Sequence, residues 1–142
     1  MDKRAMDIAV QAMDDYAKAC GRKDVNALIN MFAPEEDIVN IGTQGDEWWV
    51  GRDALRRGFE RMFAEAEDIT VRYEGLTEAS AGPVCWFSAK ATFGMTVDGK
   101  RMEITGRNSG VLVERGGRWL IAQSHFSIPA PGAVGSSIPK AA

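Results

Sequence analysis

The sequence is poor in the side chains that most often build metal sites and covalent-catalysis sites. It holds one histidine and two cysteines in 142 residues, and its acidic residues lack the loop spacing of a calcium site. It has no glycine-rich phosphate loop and no nucleophile elbow. We therefore predict a protein that uses no metal and no other cofactor.

Cysteine pairs and long apolar runs are also missing. Cys20 and Cys85 are too few for a disulfide framework, so we expect reduced core residues. The N-terminal stretch MDKRAMDIAVQAMDDY carries acids every few residues, unlike a signal peptide or a membrane span. These absences predict a cytoplasmic protein that does not bind a membrane.

Charge of one sign is not concentrated anywhere along the chain. The 17 basic and 20 acidic residues are mixed and give a net charge of −3, whereas nucleic-acid binders carry a basic patch. A hydrophobic fraction of 45% with 26% charged residues is typical of a globular domain. We expect a single domain over residues 1–128, then a Pro/Gly/Ser-rich tail over 129–142, and no nucleic-acid partner.

Apolar residues in the first half recur at three- and four-residue spacing, which predicts amphipathic helices. The first covers residues 2–20, and a second, shorter one runs from Val25 to Phe32. A third begins near Gly51 or Asp53 and extends to Ala66. Helices gathered before a run of strands indicate an α+β domain with the helices on one face of a sheet.

After the third helix the period changes from helical to two, which predicts strands. Turn signals at Gly82-Pro83, Asp98-Gly99 and Gly116-Gly117 join them into a meander. A short strand over 37–43 precedes the third helix. The four long strands are expected over residues 69–80, 84–97, 100–114 and 118–128.

The Asp98-Gly99 turn predicts which side chains share a sheet face. A two-residue turn with positive φ at both positions favours this pair and places Val97 opposite Lys100. One face is then apolar or small apart from Asn108. It carries Phe87, Ala89, Ala91, Phe93, Met95, Met102, Ile104, Gly106 and Gly110.

The small residues on this face cannot fill the space beneath three helices, which predicts a pocket with a few convergent polar groups. The alternative is that Phe59 and Phe63 fill the gap and leave an ordinary core. In the last hairpin, Glu114 is expected opposite Arg118, which adds Ser124 and Phe126 to the pocket face.

The opposite sheet face is too apolar for bulk solvent, which predicts a subunit interface and a homodimer. Three cations meet on this face and need an acid such as Glu103 or a residue of a second subunit. Strand parity places the single histidine here, away from the pocket. The expected interface residues are Trp86, Lys90, Arg107, Trp119 and His125.

Three stretches carry a resemblance to a known superfamily: ACGRKDVNALINMFAP, DIVNIGTQGDEWWVGRDAL and the ending GGRWLIAQSHFSIPAP. Their order and spacing resemble the nuclear-transport-factor-2-like superfamily, especially its SnoaL-like branch. The ending is similar to that of the calcium/calmodulin-dependent protein kinase II association domain. The resemblance implies an α+β cone of three N-terminal helices on a curved, mostly antiparallel sheet that encloses a pocket.

More distantly, the sequence resembles ketosteroid isomerase, which uses a carboxylate base with a Tyr and a protonated Asp. The resemblance puts Tyr16 at the tyrosine position, Asn40 at the base position and Asn108 at the protonated-Asp position. An amide cannot abstract a proton at neutral pH, so the usual base is missing. A direct hydrogen bond between Asn40 and Asn108 would instead make them packing residues.

Two functions follow as hypotheses. The first is a pocket protein that binds a small, mostly apolar organic molecule and acts as a cofactor-independent isomerase, cyclase or hydratase. The second is a non-catalytic association or ligand-sensing module that dimerises through its sheet. The expected pocket residues are Tyr16, Asn40, Phe93, Asn108, Ser124 and Phe126, with Trp48 and Trp49 as a cover.

Overall fold

The computed structural model describes residues 3–130. The predicted tail lies outside the described residues from position 131 onward. Three helices and six strands are present in that range. Their bounds are α1 Lys3–Gly21, α2 Val25–Asn30, β1 Val39–Ile41, β2 Trp48–Val50, α3 Arg52–Glu65, β3 Glu67–Ala81, β4 Val84–Val97, β5 Lys100–Arg115 and β6 Arg118–Ser127.

The strands form one curved, unclosed sheet in the order β2-β1-β6-β5-β4-β3. Strand β1 runs parallel to β6, and every other neighbouring pair is antiparallel. The helices pack against this sheet, so the predicted α+β cone is confirmed. The short strand β2 was not predicted, because its tryptophans were assigned to a loop.

Local sequence accounts for the helix boundaries. The Asp24 carboxylate accepts a hydrogen bond from the Ala27 backbone N–H at 3.0 Å and caps α2, as Asp commonly does. Gly51 precedes α3 with φ at 83°, a conformation that favours glycine. Within the described range, no helix has the length and apolarity that a membrane crossing needs.

The hairpin between β4 and β5 has the predicted register. Asp98 and Gly99 take φ values of 50° and 76°, and Val97 lies opposite Lys100. The pairing continues without a shift to Val84 opposite Val113. The face assignments for these two strands are therefore confirmed.

The predicted register of the last hairpin is wrong by one residue. Gly116 and Gly117 both have positive φ and form a two-residue turn, so Arg115 rather than Glu114 lies opposite Arg118. Each of these two arginines has a partner elsewhere. Arg115 binds Glu35 at 2.7 Å, and Arg118 donates to the Asn30 carbonyl at 3.2 Å.

A bulge on β6 compensates for this shift. The pairing skips Ala122, so that Leu112 faces Ile121 while Val111 faces Gln123. Because a bulge swaps the two faces, residues after it return to the predicted sides. Trp119, which precedes the bulge, does not share the face of Trp86; it lines a groove beside α1 with Ile8. Its placement on the interface face was wrong.

The core lies between the helices and the sheet and is centred on Phe59 of α3. The Phe59 ring is 2% exposed and packs edge-on against Tyr16 at 6.4 Å and Trp49 at 5.5 Å between ring centroids. Cys20 and Cys85 are buried free thiols, as predicted. Further fully buried members are Phe32, Leu28, Ile38, Leu55 and Leu112.

We expect Gly58→Ala to destabilise the protein. A methyl group at Gly58 would overlap the Trp49 ring, and overpacking typically costs about 1–3 kcal/mol. That cost outweighs the gain of about 1 kcal/mol that alanine brings inside a helix. Urea denaturation gives the free energy of unfolding.

Gly45→Ala is the matched control, because nothing lies within 4 Å of its added methyl group. Its free energy of unfolding should stay within about 0.5 kcal/mol of the wild type. Equal stability of the two variants would contradict the packing of Trp49 on Gly58.

Candidate functional site

A cavity of about 500 Å³ lies between the helices and the sheet. Residues of α1 and α3, the loop between β1 and β2, and all six strands form its walls. The structure brings all six predicted pocket residues to this cavity: Tyr16, Asn40, Phe93, Asn108, Ser124 and Phe126. That they contact a ligand stays a prediction.

Aromatic rings, rather than small residues, shape the cavity wall. A methyl group at Gly106 would overlap the Phe126 ring, and one at Gly110 would overlap the Phe87 ring. These glycines thus make room for aromatic side chains, so our reason for expecting empty space there was incomplete. Phe59 contributes to the wall, yet it does not fill the cavity.

Amide and hydroxyl groups form a polar strip on the sheet. Asn40 of β1 lies directly beside Ser124 of β6, and Asn108 of β5 lies opposite Phe126. The Asn108 Nδ2 donates to the His125 carbonyl at 3.1 Å, which fixes the orientation of the amide. Asn108 bonds to the His125 carbonyl rather than to Asn40, so the direct hydrogen bond that we considered between the two amides is not formed.

Two tyrosines and a thiol meet on the side of α1. The Tyr16 hydroxyl donates to the Cys20 thiol, and desolvation raises the pKa of Tyr16 well above its ordinary value. Burial likewise raises the pKa of Tyr73 and brings the pKa of Cys20 to about 12. All three groups are therefore protonated at neutral pH.

Glu47, which the sequence analysis missed, puts an ionisable group on the cavity wall. Desolvation raises the pKa of this carboxyl from 4.5, and nearby Asp46 acts in the same direction. A backbone hydrogen bond from Gln44 and the charge of Arg61 oppose these effects and lower its pKa. The one nearby sequence feature related to Glu47 is the glycine at position 42. A side chain at that position would overlap the Glu47 carboxyl group.

The raised pKa links Glu47 to stability. A carboxyl whose pKa is higher in the folded state than in the unfolded state favours folding when protonated. That contribution is present below the ordinary pKa of 4.5 and is lost as the pH rises through the raised value. At neutral pH, ionised Glu47 therefore opposes folding, as often happens with functional groups.

The SnoaL-like domain family matches residues 9–131 of the chain. The chain belongs to the SnoaL-like family. Solved structures of the nuclear-transport-factor-2-like superfamily share its fold. No curated protein matches it.

Three solved structures illustrate the similarity of this SnoaL-like protein to its superfamily. A nuclear transport factor 2-like protein from Salmonella enterica has a TM-score of 0.83 at 17% identity, covering 95% of this chain and 98% of its own. A ketosteroid isomerase-like protein from Erwinia carotovora has a TM-score of 0.74 at 19% identity, covering 92% and 100%.

The third structure is described as a calcium/calmodulin-dependent protein kinase II association domain from Xanthomonas campestris. It has a TM-score of 0.74 at 22% identity and covers 83% of each chain. Identities this low support the fold alone, so the similarity leaves the function of the SnoaL-like cavity open.

Three exposed charged residues from the β1–β2 loop and α3 also line the cavity of the SnoaL-like domain. Asp46 and Arg61 lie 3.8 Å apart, and Glu65 is the last residue of α3. Of the predicted cover, Trp49 lines the cavity, whereas Trp48 is 65% exposed and is not part of the wall.

The outer sheet face of the SnoaL-like domain carries four of the five predicted interface residues. Trp86 is 45% exposed, and Lys90, Arg107 and His125 are exposed on the same sheet face, on β4, β5 and β6 respectively. Glu74 lies directly opposite Lys90, an acid that the sequence analysis did not assign.

The acid that we did assign to these cations, Glu103, has a different partner. It pairs with Arg72 at 3.4 Å and lies opposite Gly94 in the sheet. Across residues 3–130 no three His, Cys, Asp or Glu side chains group as metal ligands, and the absence of a cofactor stays a prediction.

Proposed function

We propose that this SnoaL-like protein binds a small, mostly apolar organic molecule in its cavity and acts on it by cofactor-independent acid–base chemistry. The reaction classes are isomerisation, cyclisation and hydration. The observation that carries the proposal is a largely apolar cavity that holds amides, hydroxyls and one half-buried carboxyl group. We also propose a cytoplasmic location.

The size and lining of the cavity support an organic ligand. Its volume of about 500 Å³ lies within the range of about 300–1,000 Å³ that is common for small-molecule sites. Rings such as Phe93 and Phe126, which lie 4.8 Å apart, favour an apolar ligand body. The amides of Asn40 and Asn108 can orient a carbonyl or hydroxyl group on that body.

The arrangement differs from that of ketosteroid isomerase at the base. Asn40 lies on the cavity wall where the resemblance places the carboxylate, and an amide takes up no proton at neutral pH. Asn108 keeps a hydrogen-bond donor where the resemblance places the protonated Asp. Polar side chains thus occupy both positions, but neither of them can take up a proton. Proton transfer needs another group.

We expect Asn108→Leu to weaken binding of 2-naphthol, an apolar aromatic probe with one hydroxyl group. Loss of one hydrogen bond to the probe is worth about 1.4 kcal/mol, or about a tenfold rise in Kd. Fluorescence titration measures the Kd, and a thermal melt checks that the variant is folded.

Asn30→Leu makes the same chemical change at an exposed position on α2 and should leave the Kd unchanged. Loss of stability in Asn108→Leu without any loss of binding would make Asn108 a packing residue. Failure of wild-type protein to bind 2-naphthol saturably would contradict the proposed binding function.

The outer sheet face supports the alternative proposal, a non-catalytic association or ligand-sensing module that forms a homodimer. Trp86 lies directly opposite Val111 on this face, and its ring is 45% exposed. Exposed apolar groups rimmed by charges are typical of protein interfaces. One of the similar structures is described as an association domain.

We expect Trp86→Arg to convert a dimer into a monomer, because it replaces an apolar ring with a charged group on the face that already carries Lys90 and Arg107. Sedimentation velocity at micromolar concentration measures the mass. Trp48→Arg is the matched control, since Trp48 is 65% exposed on β2 and should leave the dimer intact. A monomeric wild-type protein would contradict the association proposal.

A further inference from the structure

We infer that Glu47 is the acid–base residue of the cavity, and that its carboxylate removes a proton from a carbon atom of the bound molecule. This inference rests on the proposed function. It moves the base from strand β1, where the resemblance places it, to the loop between β1 and β2.

The loop holds the Glu47 carboxyl group in place. The Gly42 backbone N–H donates to the Glu47 carbonyl at 2.8 Å, and the Glu47 backbone N–H donates to the Gln44 carbonyl at 3.1 Å. The side chain then lies over the bare Cα of Gly42, and the Gln44 N–H donates to the carboxylate. A base that is fixed in this way needs little reorganisation during proton transfer.

The polar groups on the sheet cannot replace Glu47. Asn40 and Asn108 have no basic nitrogen, and the Ser124 hydroxyl needs a base of its own. His125, the single histidine, is exposed on the outer face, where it lies opposite Ser109. A ligand in the cavity therefore meets none of these as a base.

The groups on the side of α1 are proton donors at neutral pH. Desolvation raises the pKa of Tyr16 and of Tyr73, and the Cys20 thiol is fully buried. The charge of Glu47 also contributes to the raised pKa of Tyr16. The cavity wall thus carries a carboxylate that can accept a proton, Glu47, together with tyrosine hydroxyl groups that can donate one.

The other carboxyl groups are less suited to the role. Asp46 is exposed and lies 3.8 Å from Arg61, and Glu65 is exposed at the end of α3. Glu78 is buried, and its two oxygens have no hydrogen-bond partner within the described residues, but it is not part of the cavity wall. Glu47 is the half-buried carboxyl group on that wall.

Charged groups from two elements tune this base. Asp46 of the same loop raises the pKa of Glu47, and Arg61 of α3 lowers it. Tyr16 of α1 is neutral and adds no charge. A carboxyl group with a raised pKa is a stronger base than one in water.

Elimination of 5-nitrobenzisoxazole tests the base without knowledge of the natural substrate. The Glu47 carboxylate would take the proton from C3 of the probe, and the C–H electron pair would complete the nitrile. The N–O bond would break, and its electron pair would stay on the phenolate product. Water would then remove the proton from Glu47, so no other reactant is needed.

We expect Glu47→Gln to lower kcat/KM for this elimination about 100-fold, a typical contribution of a general base. Glu47→Asp keeps the carboxylate and should recover part of the rate. Glu36→Gln, the same chemical change at an exposed carboxyl that precedes β1, should leave the rate unchanged. The coloured phenolate product is followed by absorbance.

The pH profile gives a second readout that a structural role would not move. The wild-type rate should rise with pH around a midpoint above 4.5, the ordinary value for this carboxyl. Arg61→Gln should move the midpoint up, and Asp46→Asn should move it down. The opposite directions follow from the charges that the two variants remove.

Binding of 2-naphthol separates the two proposals. If Glu47→Gln binds 2-naphthol and loses the elimination, the inference is supported. If it binds 2-naphthol and retains the wild-type rate, Glu47 is not the base, while the proposed binding function stands. A wild-type profile without a midpoint above 4.5 would also overturn the inference.

Discussion

The antiparallel register between β4 and β5 is the constraint on which the rest of the structure depends. One turn, Asp98-Gly99, aligns the two strands from Val97 to Val84 without a shift. Because side chains alternate along a strand, a slip of one residue would send Asn108 of β5 to the outer face while Phe93 of β4 stayed on the cavity side. The cavity wall and the outer sheet face are therefore two results of the same alignment.

Aromatic packing then explains how an open cavity persists in a small domain. The Phe59 ring contacts Tyr16 and Trp49 at its edges, so rigid rings meet one another around the space rather than fill it. The same apolar wall removes water from Glu47 and raises its pKa. Folding and chemistry thus oppose each other at this residue, because ionised Glu47 costs stability at the pH where a base is useful.

Sequence patterns were sufficient for the three helices and the meander, because periodicity and turn chemistry are local. They failed for Trp119, because Arg115 rather than Glu114 lies opposite Arg118 across the Gly116-Gly117 turn, which puts Trp119 on the other face. The bulge at Ala122, which no turn residue or change of period marks in the sequence, offsets this register error. Ser124 and Phe126 therefore lie on the predicted face. Glu47 was missed for a different reason: its burial depends on the closure of a loop over Gly42 and on the approach of α3, which are tertiary events.

The central claim is that the cavity holds a desolvated carboxyl group in contact with an apolar ligand. Titration of the Glu47 carboxyl carbon by NMR, with Glu47→Gln as the assignment control, tests it most directly. The account predicts a pKa above the ordinary 4.5 in the free protein and a further rise when 2-naphthol displaces water from the cavity. A pKa at or below that value, unchanged by 2-naphthol, would contradict it.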